Sequence, residues 1–150
     1  MKKLGLRANI REAVLQDLLH LKQCIDRAYA ADKARIKNLP DVSGGLEDDI
    51  CSNTVLVAEA DGRLAGCAIF SVTGPDAHLI NLAVDPDFMG QGLGRQLVEA
   101  TEKEAFARGA TEIHLATHPE MLRNVSLYSH LGWSETSRNE NKILMQKKLM

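Results

Sequence analysis

Three glycines, Gly90, Gly92 and Gly94, alternate with other residues between an apolar run and a helical pattern. No other stretch restricts the fold as much. Upstream, residues 78–84 read as a strand that Asp85-Pro86 must end, because proline cannot donate to a ladder. Downstream, Leu93, Leu97, Thr101 and Ala105 recur at helical spacing and stop near Arg108-Gly109, where glycine suits a C-cap. A strand, a glycine loop and a helix in that order make an anion site. Glycine lets backbone come close to a ligand, and the first N–H groups of the helix lie unpaired at the positive end of its dipole. A phosphate or pyrophosphate fits there; the bland alternative is a tight strand-to-helix turn. A P-loop needs Gly-Lys-Ser/Thr, whereas Gly94 is followed by Arg95-Gln96. A dinucleotide loop needs GxGxxG and an acid ending a second strand, whereas the spacing is GxGxG and Glu112 begins the next strand.

The remaining segments supply a sheet and its helices. Leu4, Leu6, Ala8 and Ile10 alternate with polar residues as a first strand, and Asp17 precedes a helix carrying Leu18, Leu21, Ile25 and Ala28. Residues 31–53 are less regular, with loop signals at Asn38-Leu39-Pro40-Asp41 and Ser43-Gly44-Gly45 and a short helix starting at Glu47-Asp48-Asp49. Residues 55–58 and 64–72 flank Asp61-Gly62, a strong hairpin signal. Residues 111–117 form a further strand, 122–131 a short helix stopped by Gly132, and 133–138 with 142–148 a terminal antiparallel pair. The order β-α-(α)-β-β-β-α-β-α-β-β predicts one mixed α/β domain over residues 1–150. A chain of 150 residues leaves no room for a second domain of typical size.

Composition narrows the partners. The net charge of −2 gives no field to draw nucleic acid or an anionic membrane, and 4% aromatics make no base-stacking platform. No apolar run approaches the roughly 20 residues of a membrane span, and MKKLGLRANIRE lacks the apolar core of a signal peptide. Cys24, Cys51 and Cys67 are odd in number and without zinc spacing, which predicts reduced thiols in a cytoplasmic protein. The histidines form no metal set, and no metal is expected.

Residues 82–94, Leu-Ala-Val-Asp-Pro-Asp-Phe-Met-Gly-Gln-Gly-Leu-Gly, resemble the acetyl-CoA signature of the GNAT superfamily of N-acetyltransferases. That signature reads Arg/Gln-x-x-Gly-x-Gly/Ala after a strand ending in a similar apolar-Val-Asp-Pro. Asn124 and Tyr128, with Gly132-Trp133 after them, resemble the second signature, Asn-x-x-x-Tyr with a following Gly-aromatic. Ile10-Arg11-Glu12-Ala13 with Asp17 resembles the family's N-terminal strand and helix start. The element order agrees over nearly the whole chain. The resemblance implies a single GNAT domain with a mostly antiparallel sheet of about seven strands, flanking helices and splayed central strands. It implies a cytoplasmic acyltransferase that moves acetyl from acetyl-CoA to a primary amine, of a small molecule or a peptide, by direct attack and without a metal. One position departs: the family's Arg or Gln is Met89 here.

By the same resemblance the cosubstrate is held by Leu82, Ala83 and Val84 on the strand, by Met89, Gly90, Gln91, Gly92, Gly94 and Arg95 in the loop, and by Asn124 and Tyr128 on the last helix. Arg95 or Gln91 is expected to compensate for the side chain lost at Met89. Tyr128 is the expected acid, since a phenol of pKa about 10 stays protonated beside a leaving thiolate of pKa about 8.5. A backbone N–H near Leu82 to Val84 would meet the oxyanion. Where many relatives place a Glu, His78 shares a strand face with Ile80, Leu82 and Val84 and offers a base; an ordered water is the alternative. Acceptor specificity is expected from Tyr29, the 38–49 loop and Met121-Leu122. Many relatives are homodimers through sheet edges or terminal strands, so Ile143, Met145 and Leu149 form either such a surface or the domain core. The competing function is a CoA-binding or sensor module without turnover, to which Met89 points.

Overall fold

The computed structural model describes residues 8–36 and 46–149. Leu4 and Leu6 of the first strand and the loop signals at 38–45 lie outside the described residues, as do the side chains of Glu47 and Asp49. The chain runs β1 (Asn9–Glu12), α1 (Leu18–Arg35), α2 (Leu46–Ser52), β2 (Thr54–Ala60), β3 (Arg63–Thr73), β4 (Asp76–Val84), α3 (Leu93–Ala107), β5 (Glu112–Thr117), α4 (Leu122–His130), β6 (Ser134–Arg138) and β7 (Ile143–Lys148). The seven strands make one sheet in the order β1-β2-β3-β4-β5-β7-β6. Every neighbouring pair is antiparallel except β4 with β5. The parallel pair follows from the connection, since β4 reaches β5 through the crossover helix α3.

Successive side chains of a strand face opposite ways, so β2 and β3 feed two cores. Leu56, Ala58, Ala68 and Phe70 meet Leu97, Val98 and Ala105 of α3 on one face. Val55, Val57, Cys67 and Ile69 meet Leu21, Ile25 and Tyr29 of α1 on the other. Gly66 lets α3 lie close: a Cβ there would come 2.9 Å from the Ala83 carbonyl oxygen and 3.0 Å from Leu97 Cδ1. Asp17 ties β1 to the start of α1. Its carboxylate accepts from Arg11 Nη1 and Nη2 at 2.8 and 2.9 Å and from the Val14 N–H at 2.8 Å.

One alternative resolves here. Ile143, Met145 and Leu149 are buried among the α3-side core residues, so they build the domain rather than a dimer surface. Cys24 and Cys67 are buried thiols, and Cys51 is exposed.

Candidate active site

The sheet divides where β4 meets β5. The two strands pair from Asp76 with Glu112 to Leu79 with Leu115, and no further. Beyond Leu79, β4 carries a bulge: Leu79 pairs with Phe70 but Asn81 pairs with Ile69, which leaves Ile80 as an extra residue. Ile80 is half exposed. The bulge reverses the alternation, so Leu82 joins Ala77 and Leu79 on the α3 side while Ala83 turns to the α1 side. It also sets which backbone groups are free. Asp85 N–H donates to the Ala65 carbonyl oxygen at 2.8 Å, which places residues 81, 83 and 85 in the ladder with β3. Leu82 and Val84 therefore turn their backbone groups toward the opening between β4 and β5. Tyr29 of α1 confirms the direction, since its hydroxyl donates to the Leu82 carbonyl oxygen at 2.8 Å and lies 3.0 Å from Asn81 Oδ1.

The segment after β4 forms a 3-10 turn at Pro86–Phe88, whose start is capped by the Asp85 carboxylate accepting from the Asp87 N–H at 2.9 Å. Gly90 and Gly92 then take φ of 75° and 83°, a left-handed conformation that side-chain-bearing residues rarely adopt. The first intrahelical bond of α3 runs from Gln96 N–H to the Gly92 carbonyl oxygen at 3.1 Å. The N–H groups of Leu93, Gly94 and Arg95 thus have no acceptor in their own helix. Gly94 serves packing instead: a Cβ there would approach Leu127 of α4 to 3.2 Å.

The free strand edge and the glycine loop border one cavity of about 800 Å³, closed by the C-terminal half of α1 and the first turns of α4. Leu82, Ala83, Val84, Met89, Gly90, Gly92, Gly94, Arg95 and Asn124 all line it, as do Tyr29, Met121 and Leu122. Gln91 is not part of the wall. Arg95 turns outward to Glu99, with its Nε 2.7 Å from Glu99 Oε1. Tyr128 directly follows the lining residue Leu127; it is buried and tilted against Trp133 with ring centroids 5.6 Å apart. Burial pushes its phenol far above the usual value, and the neighbouring Tyr29 acts in the same direction.

His78 does not line the cavity. It sits below the bulge, pairs with Ser71 and His114, and stacks on the His114 ring at 5.2 Å between centroids. The expected face shared with Leu82 is lost because the bulge shifts Leu82 to the opposite side. An apolar run from Leu79 to Val84 carries no alternation from which that shift could be read.

The loop is braced by charge. Arg27 Nε lies 3.0 Å from Asp85 Oδ2, Arg27 Nη2 lies 3.2 Å from Asp87 Oδ2, and Arg63 Nη2 also reaches Asp87 at 3.2 Å. Burial pushes the Asp85 carboxyl up, but Arg27, the Asp87 N–H and Arg63 outweigh it and hold the carboxyl below its usual range. The sequence hints at this clamp only through an aspartate directly after an apolar strand, where a buried acid needs a partner. Among the described residues no group of three His, Cys, Asp or Glu side chains gathers to hold a metal, and no helix is long and apolar enough to cross a membrane.

A split sheet with a free strand edge, opening on a glycine loop at a helix start, suits an elongated ligand with phosphates at one end and a reactive carbonyl at the other. The acetyltransferase (GNAT) family model matches residues 18–133, and the chain belongs to that family. It is 39% identical over 82 residues to the [ribosomal protein bS18]-alanine N-acetyltransferase of Salmonella typhimurium, across 55% of this chain and 55% of that one. It is 34% identical over 83 residues to the mycothiol acetyltransferase of Clavibacter michiganensis, across 55% of this chain and 27% of that one. The match to the first of these thus spans about half of its length. Among solved structures, the PaiA N-acetyltransferase of Thermoplasma acidophilum, in complex with coenzyme A, superposes with a TM-score of 0.85 at 21% identity, covering 95% of this chain and 99% of that one. The ribosomal-protein-S18-alanine N-acetyltransferase of Escherichia coli superposes with a TM-score of 0.80 at 24% identity, covering 95% and 94%. These likenesses establish the fold.

Proposed function

We propose that the chain is an acetyl-CoA-dependent N-acetyltransferase whose acceptor is the amino group of a peptide or protein. The observation that carries this reading is the meeting of the free β4 edge with the unpaired amides of the glycine loop in one cavity. The names of the curated relatives, alanine N-acetyltransferases acting on a ribosomal protein, favour an alanine amine over a small polyamine.

The loop amides of Leu93, Gly94 and Arg95 take the pyrophosphate of acetyl-CoA, helped by the α3 dipole. The thioester then lies along Leu82 to Val84, where a free edge N–H donates to the carbonyl oxygen as it becomes an oxyanion. A neutral amine forms the new N–C bond, the C–S bond breaks, and the amine's extra proton leaves to water. Tyr128, next to the lining residue Leu127, gives a hydrogen bond to the departing sulfur, and water delivers the proton that completes the CoA thiol. Its burial keeps the phenol protonated for that task at any ordinary pH. His78 takes no part. The reduced thiols and the need for acetyl-CoA accord with the cytoplasm as the place of action.

The test is release of free CoA thiol from acetyl-CoA with peptides beginning in alanine, compared with spermidine and free amino acids. Turnover with the alanine peptides is expected. Binding of acetyl-CoA without release of thiol for any amine would overturn catalysis and leave the module reading. Absence of binding would remove the cavity's assignment altogether.

A further inference from the structure

Four arginines line the cavity: Arg27, Arg35, Arg95 and Arg123. Three are neutralised by carboxylates. Arg27 pairs with Asp85 and Asp87, Arg35 with Asp32 at 2.9 Å, and Arg95 with Glu99 at 2.7 Å. Arg123, on the first turn of α4, has no carboxylate partner among the described residues; its guanidinium Nη1 rests on the Met89 sulfur. Met89 directly precedes the glycine loop. An unneutralised, exposed guanidinium therefore stands at the mouth of the loop whose helical amides are also unpaired.

From this juxtaposition we infer that Arg123 is the cation that binds the cosubstrate's pyrophosphate, reaching across from α4 to supply a charge that Met89 cannot. The inference rests on the acetyl-CoA reading of the cavity. A planar guanidinium can give two parallel N–H bonds to one phosphate, and an ion pair with a phosphate is stronger than a neutral hydrogen bond. Arg95, expected to compensate for Met89, is drawn away by Glu99, and Gln91 is not in the wall. The Arg123 guanidinium meets the Met89 sulfur, and this contact places its charge beside the loop. The same contact makes position 89 a second place from which a cation could reach the phosphates.

The experiment is calorimetric titration of the full chain with CoA and with dephospho-CoA, which keeps the pyrophosphate and lacks the 3′-phosphate. Arg123→Ala is expected to weaken both ligands about tenfold or more, as loss of a charged hydrogen-bond pair predicts, and to flatten the dependence of Kd on salt. Arg123→Lys keeps the charge without the fork and is expected to fall between. Adding Met89→Arg to Arg123→Ala should recover most of the affinity, because the two side chains meet at one place. The unfolding midpoint of ligand-free Arg123→Ala is expected to match that of the parent, since the side chain has no ion pair to lose. Equal CoA binding by parent and Arg123→Ala would overturn the inference while leaving the function standing. A loss seen with CoA but absent with dephospho-CoA would overturn it in favour of the 3′-phosphate. A parent chain that binds neither ligand would instead overturn the acetyl-CoA reading itself.

Discussion

The Tyr29 hydroxyl donates to the Leu82 carbonyl oxygen at 2.8 Å, joining α1 to the edge of β4 that lies open beside β5. The hydrogen bond adds to the apolar packing of α1 on the sheet and ties the helix that lines the cavity to the strand edge that opens on it. Both residues are buried. Tyr29→Phe leaves that carbonyl without its donor and is expected to cost about 1–2 kcal/mol, read as a lower urea midpoint at unchanged slope. An unchanged midpoint would mean the carbonyl finds another donor and the link is dispensable.

Gly66 gives a steric test of how α3 packs on β3. Alanine there would crowd the Ala83 backbone oxygen, which cannot move without disturbing the β3–β4 ladder, and the Leu97 methyl. Gly66→Ala is expected to destabilise by roughly 1–3 kcal/mol, the range for overpacking a filled core. Gly66→Ala paired with Leu97→Ala relieves only the side-chain half of the clash. The double variant should therefore lose less than the sum of the two single losses and still unfold at a lower urea midpoint than Leu97→Ala alone; a loss equal to that of Leu97→Ala alone would show that the Ala83 oxygen offers no clash.

Local signals in the sequence were enough for the elements and the loop, and failed where the structure depends on contacts between distant residues. Asp61-Gly62 marks a two-residue turn because both take positive φ, at 53° and 73°, which that residue pair tolerates. Gly90 and Gly92 mark the loop for the same reason. The bulge at Ile80 left no trace, since every residue from Leu79 to Val84 except Asn81 is apolar whichever way it faces. That gap put His78 on the wrong face. Trp133 reads as the start of a strand, but its N–H closes the end of α4 on the Tyr128 carbonyl oxygen at 3.0 Å, and its indole reaches Glu102 at 3.1 Å. The partners of Tyr29 and Arg27 lie more than fifty residues away, beyond any periodicity.

Acid should unfold the chain through two clamped carboxylates. The Asp17 carboxyl is held below its usual value by Arg11 and by the Val14 N–H, and Asp85 by Arg27, the Asp87 N–H and Arg63 against the effect of burial. A depressed folded-state pKa gives stability that is complete above the unfolded value of about 3.9 and is lost as pH falls through the folded value. Urea midpoints are expected to be level above about pH 5 and to fall steadily below about pH 4. Asp85→Asn should be less stable at pH 7 and show a shallower acid limb. An identical limb in that variant would remove Asp85 from the linkage.

Replacing Tyr128 tests the role proposed for its phenol. Tyr128→Phe keeps the ring against Trp133 and removes only the hydroxyl, so acetyl-CoA should bind with an unchanged Kd. With the hydrogen bond to the developing thiolate gone, kcat is expected to fall by roughly 10- to 100-fold, the scale of one lost hydrogen bond to a charged group. The parent's rate should rise with pH as the acceptor amine loses its proton. Because burial carries the Tyr128 phenol far above its ordinary value, no alkaline decline from it is expected below about pH 10. The variant should keep the rising limb at a lower plateau. A decline near pH 8.5 in the parent, absent from Tyr128→Phe, would show that the phenol ionises far more easily than its burial allows. Unchanged turnover in the variant would remove Tyr128 from the reaction.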